Sequence, residues 1–136
     1  MFAGNEVDDY YYSIGGGVHL GESSEQAVKR EVFEETGAYY EVDNLAIIHE
    51  NFFVGTFDLK GVDCHEICFY YMMIPKGNKN LKSHSFTMDG LKETMHRIPI
   101  DDLEKYKAYP TFMKEYLKSD LKGLIHILTD QRTHSK

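Results

Sequence analysis

The chain has 136 residues, with 15 lysines and arginines against 22 aspartates and glutamates, and its formal net charge is −7. This length is enough for one domain with its own hydrophobic core, so we expect a single domain over residues 1–136. The acidic balance argues against general binding to nucleic acid or to anionic membranes, and a bound phosphate compound would need metal ions as intermediaries.

The cysteines indicate the compartment. Cys64 and Cys68 fall in one strand-like run, and an extended chain would hold them roughly 13 Å apart, beyond disulfide reach. Two thiols are also too few for a structural zinc site. Since we recognise no signal peptide and no apolar run of membrane-spanning length, these features predict a cytoplasmic protein.

The chain begins with a polar segment and then a strand signal. We expect residues 1–9 to be frayed. Residues 10–14 are mostly aromatic or β-branched, which predicts a strand, and the glycines at 15–17 end it. A second short strand is expected at 18–20.

A helix follows with both of its ends marked. Ser23 and Gln26, three residues apart, form a capping box. Gly37 stands where the glycine after a helix belongs. These signals predict a helix over Ser24–Thr36.

The middle of the chain reads mainly as strands. Residues 39–42 and 45–54 predict one long bent strand or two pieces. The dense apolar run 67–74 predicts a central strand buried on both faces. Residues 76–89 form a polar loop, which we expect to be mobile, and 93–98 predict a short strand.

The last part of the chain contains two helix signals and an ambiguous tail. Residues 101–106 predict a short helix with an aspartate cap, and 110–118 predict another with Pro110 near its first turn. Residues 121–128 are apolar enough for a strand or a helix. We expect 129–136 to be loose.

The helix over Ser24–Thr36 has a crowded acidic side. At 100° per residue, Glu31, Glu34 and Glu35 share an arc of about 100°. Like charges three or four residues apart cost roughly 0.2–0.5 kcal/mol per pair in an isolated helix. Such crowding is unfavourable unless a cation lies between the carboxylates, so the helix predicts a metal site.

Residues 16–38 read G-x5-E-x7-R-E-V-x-E-E-x-G-A. The specified positions are Gly16, Glu22, Arg30, Glu31, Val32, Glu34, Glu35, Gly37 and Ala38. This pattern resembles the Nudix box, the signature of the Nudix hydrolase family (MutT-like). The match departs from the family at Ala38, where a larger aliphatic residue is usual, and covers 23 of the 136 residues.

The resemblance implies both a fold and an activity. The fold is an α/β (α+β) one, an α/β/α sandwich with a central mixed β-sheet, in which the box forms a loop–helix–loop. The activity is hydrolysis of the pyrophosphate bond of a nucleoside diphosphate linked to another group, X. Metal-activated water would be the nucleophile, and carboxylate ligands suit Mg²⁺ or Mn²⁺.

The resemblance also implies a set of metal ligands and catalytic acids. Glu31 and Glu35 would be the principal metal ligands, Glu34 the third acid, and the backbone carbonyl of Gly15 would complete the set. Glu31 or a nearby acid is an alternative general base.

Other positions of the box would support it. Arg30 and Glu22 would hold the loop against the helix and orient the ligand carboxylates, while Gly16 and Gly37 would support the box structurally. Outside the box, a distal glutamate often serves as an extra base or ligand. Glu93 is the candidate here and Glu66 is the runner-up.

The chain departs from the family pattern at its start. Only fourteen residues precede Gly15, whereas many members have about two strands there. We therefore expect the N-terminal strand or strands to be missing: either this chain is a fragment or a late-start translation product, or another chain completes the sheet. A homodimer, or self-association through an exposed edge, is the expected result.

Three further alternatives remain open. A non-catalytic nucleotide sensor on the same fold is the alternative to a hydrolase. Isopentenyl diphosphate isomerisation is disfavoured because no cysteine lies near the box, and a plain interaction module is disfavoured by the crowded glutamates. The tyrosines at 10–12 are typical of sheet packing, and the alternative is that one face stacks a nucleobase.

Overall fold

The computed structural model describes residues 1–77, 81–87, 90–120 and 122–132. The chain forms two compact units: Met1–Glu41 with Ile74–Leu121, and Val42–Met73 with Lys122–Lys136. Each unit contains a mixed sheet, and helices accompany the strands. The predicted α+β class with mixed β-structure is confirmed, and the single domain over residues 1–136 stays a prediction.

The strands are β1 (Phe2–Gly4), β2 (Tyr11–Tyr12), β3 (Val42–Val54), β4 (Asp63–Met73), β5 (Thr94–His96), β6 (Ala108–Tyr109) and β7 (Ile125–Asp130). The α-helices are α1 (Ser24–Thr36) and α2 (Met113–Lys118), and 3-10 helices cover Phe57–Leu59 and Ile100–Lys105.

Helix α1 has the predicted bounds and the predicted caps. The backbone N–H of Gln26 donates to Ser23 Oγ at 3.2 Å, and the N–H of Ser23 donates to Gln26 Oε1 at 2.8 Å. At the other end Gly37 adopts a left-handed conformation with φ of 69°, and its N–H donates to the carbonyl of Phe33 at 2.8 Å. Only glycine reaches this conformation without steric cost.

The first unit is built on a four-stranded sheet in the order β5-β1-β2-β6. Successive side chains of a strand point to opposite faces. Tyr11 packs on a core cluster of Phe2, Leu103 and Ala108, whereas Tyr12 donates a hydrogen bond to Glu93. The sheet thus separates an apolar face from a face that carries acidic residues.

Strand β1 corrects the prediction for the start of the chain. Residues Phe2–Gly4 are buried and pair antiparallel with β2 on one side and β5 on the other. The expectations that residues 1–9 are frayed and that the N-terminal strand is missing are therefore wrong. By contrast, residues 18–20 form no strand.

The second unit contains a three-stranded sheet in the order β4-β3-β7. β3 is one continuous strand, with register shifts between Val42 and Asn44 and between Leu45 and Ile47. It pairs antiparallel with β4 and parallel with β7. The tail that the sequence left undecided is thus a strand.

The prediction for the apolar run in β4 is wrong about the position of this strand in its sheet. We expected a central strand buried on both faces, but β4 lies at an edge of the sheet, and Ile67 and Phe69 are exposed. The same face holds Glu50, whose carboxylate contacts ring nitrogens of His65 at 3.0 Å and of His126 at 2.7 Å.

The remaining elements are shorter than predicted or of another type. Of the strand expected at residues 10–14 only β2 forms, and of the strand expected at residues 93–98 only β5 forms. The short helix at 101–106 is the 3-10 helix Ile100–Lys105, without a side-chain cap. Parts of the predicted loop and tail, residues 78–80, 88–89, 121 and 133–136, lie outside the described residues. In the described part of the chain, no helix has the length and apolar character needed to span a bilayer.

The capping box predicts a stability change. We expect Ser23→Ala to lower the free energy of unfolding by about 1 kcal/mol, because it removes the acceptor for an orphan N–H of the first turn. Urea unfolding followed by circular dichroism measures the change. Ser23→Thr keeps the oxygen and is the control; equal losses in both variants would contradict this role.

Candidate active site

Residues 15–22, here called the glycine loop, are held to helix α1 by one arginine, Arg30. Arg30 Nε and Nη2 donate to the two carboxylate oxygens of Glu22, both at 2.9 Å, and Nη2 also donates to the carbonyl of Gly17 at 3.0 Å. Hydrogen bonding by this guanidinium, together with the N–H of His19, lowers the pKa of Glu22 to about 2. Glu22 is therefore charged at neutral pH, and the pair fixes the loop.

The carboxylate of Glu31 occupies space that is free because residue 16 is a glycine. This carboxylate receives a hydrogen bond from Arg30 Nη1. A Cβ built on Gly16 would overlap the carboxyl group of Glu31, whereas one built on Gly17 would meet no heavy atom within 4 Å. A side chain at position 16 would thus force the Glu31 carboxylate to move, whereas one at position 17 would not.

Glu35 is the buried acid of the site. It is 4% exposed, its Oε1 accepts the N–H of Gly15 at 3.1 Å, and its Oε2 is buried without a hydrogen-bond partner among the described residues. Burial, together with the charges of Glu93, Glu31 and Glu34, raises the pKa of Glu35 to about 8 against the opposing effect of the Gly15 N–H. A buried carboxyl group with an unpaired oxygen is costly unless something neutralises it.

Glu34 forms the outer edge of the same acidic cluster. Its side chain is 53% exposed, and its Oε1 lies 3.8 Å from Arg30 Nη1. The structure therefore brings the predicted acids of the box together in a graded way: Glu35 inside, Glu31 at the loop and Glu34 at the surface.

Glu93 joins this cluster from a distant part of the sequence. It precedes β5 and is buried, and its two carboxylate oxygens accept hydrogen bonds from the hydroxyls of Tyr12 and Ser85. Glu93 was predicted as a site residue, whereas neither of its hydroxyl partners was. The tyrosine run carried a packing signal, and Ser85 in a polar loop carried none. The runner-up, Glu66, lies on β4 in the second unit.

The loop that was expected to be mobile is attached to the helix in its described part. The N–H groups of Lys82 and His84 donate to the carbonyls of Thr36 and Glu34 at 3.1 and 3.2 Å, so they satisfy carbonyls that the helix end leaves free. A Cβ on Gly37 would lie 2.8 Å from the carbonyl oxygen of Lys82. This attachment positions the loop so that the Ser85 hydroxyl can donate its hydrogen bond to Glu93.

The residues present fit a divalent metal. Among the residues that the structure describes, no three His, Cys, Asp or Glu side chains stand close enough to enclose an ion. The unpaired buried oxygen of Glu35 and the like charges around it nevertheless give a cation something to neutralise. Carboxylate and carbonyl oxygens are the donors that Mg²⁺ and Mn²⁺ prefer. Glu31, Glu34, Glu35 and the Gly15 carbonyl are the groups of this chain that would hold it.

Comparison with known proteins decides the family. The sequence model of the NUDIX domain matches residues 4–119. The chain belongs to the NUDIX domain family. This match includes the glycine loop, α1 and Glu93, and it supports a Nudix hydrolase that acts in general on acid anhydrides. The family generally uses divalent metal cations. A search of curated proteins found no match.

The contact between Gly16 and Glu31 predicts a paired result. We expect Gly16→Ala to weaken Mn²⁺ binding about tenfold or more, in the range for residues that orient ligands, because the methyl group displaces the Glu31 carboxylate. Gly17→Ala is the matched control and should bind as the native chain does. Titration calorimetry measures both affinities, and equal affinities would contradict the assigned contact.

The raised pKa of Glu35 predicts how stability of the metal-free protein depends on pH. Because the folded state holds this proton with a pKa of about 8 against an ordinary 4.5, Glu35 favours folding below pH 4.5, and this contribution is lost as the pH rises through 8. A tenfold change in proton affinity corresponds to about 1.4 kcal/mol, so the loss amounts to a few kcal/mol.

Urea unfolding in chelator at pH 5 and pH 9 tests this dependence. Glu35→Gln should lose less stability between the two values than the native chain. Glu25→Gln, an acid-to-amide change at an exposed position of the same helix, is the control for charge removal. Parallel losses in the native chain and in Glu35→Gln would show that Glu35 does not titrate in this way.

Proposed function

We propose that this protein cleaves the pyrophosphate bond of a nucleoside diphosphate linked to a second group X, with Mg²⁺ or Mn²⁺ as cofactor. Family membership supports the coarser statement, hydrolysis of an acid anhydride by a Nudix hydrolase. The observation that carries the finer proposal is the buried, incompletely paired Glu35 among the like charges of Glu31, Glu34 and Glu93. Such a cluster would repel a diphosphate unless divalent cations lay between them.

The acidic side chains and Arg30 have different proposed roles in the site. Glu31, Glu34 and Glu35 would hold the metal with the Gly15 carbonyl, and Arg30 keeps the loop in place through Glu22. A bound metal neutralises phosphate charge and lowers the pKa of a coordinated water. The charge of Arg30 also offsets part of the repulsion between the acids, since its guanidinium contacts Glu31.

Glu93 is the proposed general base. Its carboxylate is fixed by the hydroxyls of Tyr12 and Ser85, so it is held in one orientation beside Glu35, whose pKa its charge raises. A carboxylate placed in this way would accept the proton of the attacking water. Glu31 is the alternative base. The proposed attack is a direct one by water, with no covalent intermediate on the protein.

A phosphate-release screen tests the proposed function. Nucleotide sugars, dinucleotides, nucleoside triphosphates and ADP-ribose, each with and without Mg²⁺, cover the diphosphate classes. We expect metal-dependent hydrolysis of at least one of them. Nucleotide binding without release from any substrate would contradict the hydrolase and favour the alternative, a non-catalytic nucleotide sensor.

Glu35→Gln should reduce kcat at least about a hundredfold while the far-UV circular dichroism stays unchanged, because the amide keeps the shape and removes the charge that would hold the metal. Glu25→Gln, at the exposed position used above, should keep the native rate. An unchanged rate for Glu35→Gln at saturating Mg²⁺ would refute the role of Glu35.

The homodimer and the cytoplasmic location also remain proposals. Because β1 is the N-terminal strand of the first unit's sheet and pairs with β2 and β5, a second copy of the chain is not needed to supply that strand. This argument for a dimer is therefore removed. The edge strand β4, with Ile67 and Phe69 exposed, supports self-association instead. The two free cysteines, Cys64 and Cys68, support a reducing compartment.

A further inference from the structure

The chain before β5 folds back on itself in two arms. Residues 82–87, here called the first arm, and residues 90–93, here called the second arm, are joined by an antiparallel bridge between Phe86 and Lys92. A further main-chain hydrogen bond of 2.8 Å connects the arms one residue further on. A displacement of the first arm therefore also displaces the second arm.

Glu93, at the end of the second arm, is fixed to the first arm by Ser85. The N–H of Glu93 donates to the carbonyl of Ser85 at 3.1 Å, and the Ser85 hydroxyl donates to the Glu93 carboxylate. The main chain and the side chain of this acid thus share one neighbour. The position of the Glu93 carboxylate therefore follows the position of the first arm.

The first arm lies against the C-terminal end of α1 at a point where the helix is followed by a glycine. The N–H groups of Lys82 and His84 donate to the last carbonyls of the helix. A Cβ built on Gly37 would lie 2.8 Å from the carbonyl oxygen of Lys82, and a main-chain atom cannot rotate away as a side chain can. Asparagine can also end a helix in the left-handed conformation, but its Cβ would push the first arm away. Capping of α1 alone therefore does not explain a glycine here.

We propose that Gly37 positions the distal acid: by admitting the first arm to the end of α1, it fixes the Glu93 carboxylate relative to the acids of that helix. Gly37 is thus a positioning residue, because it acts through Glu93. The inference rests on the proposed function where it concerns the rate, since Glu93 is the proposed general base. A general base must lie within hydrogen-bonding reach of the proton that it accepts, and a misplacement of about 1 Å can cost roughly a hundredfold in rate.

Amide hydrogen exchange measured by NMR tests the coupling without requiring turnover. In Gly37→Ala we expect the amides of Lys82, His84 and Glu93 to exchange about tenfold or more faster than in the native chain, because the methyl group separates the first arm from the helix. Gly61→Ala is the matched control. Gly61 has a φ of 81°, close to the 69° of Gly37, but a Cβ built on it would meet no heavy atom within 4 Å.

The control variant introduces similar backbone strain and should leave the three amides unchanged. Unchanged exchange of the Glu93 amide in Gly37→Ala would overturn the inference. Equal acceleration of the amides of β3 would show that Gly37→Ala destabilises the whole chain, and this result would refute the coupling as well.

Kinetics assign the effect on the rate to Glu93. We expect Gly37→Ala to reduce kcat about tenfold or more, whereas KM and the Mn²⁺ affinity should stay as in the native chain and Gly61→Ala should keep the native kcat. In a Glu93→Gln background, Gly37→Ala should lower kcat little further, since the effects of residues that act as one unit do not add. Full additivity of the two losses, or an equal loss in Gly61→Ala, would refute the positioning role.

The two measurements separate this inference from the proposed function. Hydrolysis with a native kcat in Gly37→Ala would refute the positioning role and leave the hydrolase intact. Accelerated exchange of the Glu93 amide, in a chain that hydrolyses none of the screened diphosphates, would refute the hydrolase and support the coupling of Gly37 to Glu93.

Discussion

The guanidinium of Arg30 is the contact on which the site depends. It joins the loop to the helix through Glu22 and Gly17, and it is the cation that meets Glu31 directly. Helix α1 presents several acids to one region, and their mutual repulsion opposes folding. A single arginine that is bidentate to one carboxylate and in contact with a second fixes the loop and reduces that repulsion together. Glu35 is held instead by the N–H of Gly15, and its burial raises its pKa.

The end of the same helix organises the rest of the site. Lys82 and His84 bind the last carbonyls of α1 through their backbone, which places Ser85 against Glu93. The acids of the box and the distal acid are therefore connected by main-chain hydrogen bonds, although their positions are far apart in sequence. Hydroxyl groups, and not further charges, position Glu93. This avoids adding another ion to a region already rich in carboxylates.

Local signals made α1 and its acids predictable, whereas long-range pairing hid other features. Ser23, Gln26 and Gly37 act within one turn of the helix ends, so the sequence is enough to locate them. β1 has three residues and exists because β2 and β5 pair with it, which no local pattern reveals. The apolar run of β4 indicated a strand but could not distinguish a central position from an edge, since that depends on which strands arrive beside it. Ser85 could not be predicted as a site residue either, because its contact with Glu93 arises only in the folded chain.

The position of β1 has a consequence for how the site is specified. Glu93 leads into β5 and Tyr12 belongs to β2, and in the sheet order β1 lies between those two strands. Strands β5 and β2 are therefore two strand spacings apart, each about 4.8 Å, and the side chains of Tyr12 and Glu93 bridge that distance to form their hydrogen bond. Phe2, Ala3 and Gly4 carry no reactive group, yet they act as the spacer of the site. Residues without chemistry of their own thus determine where the chemistry of their neighbours can occur.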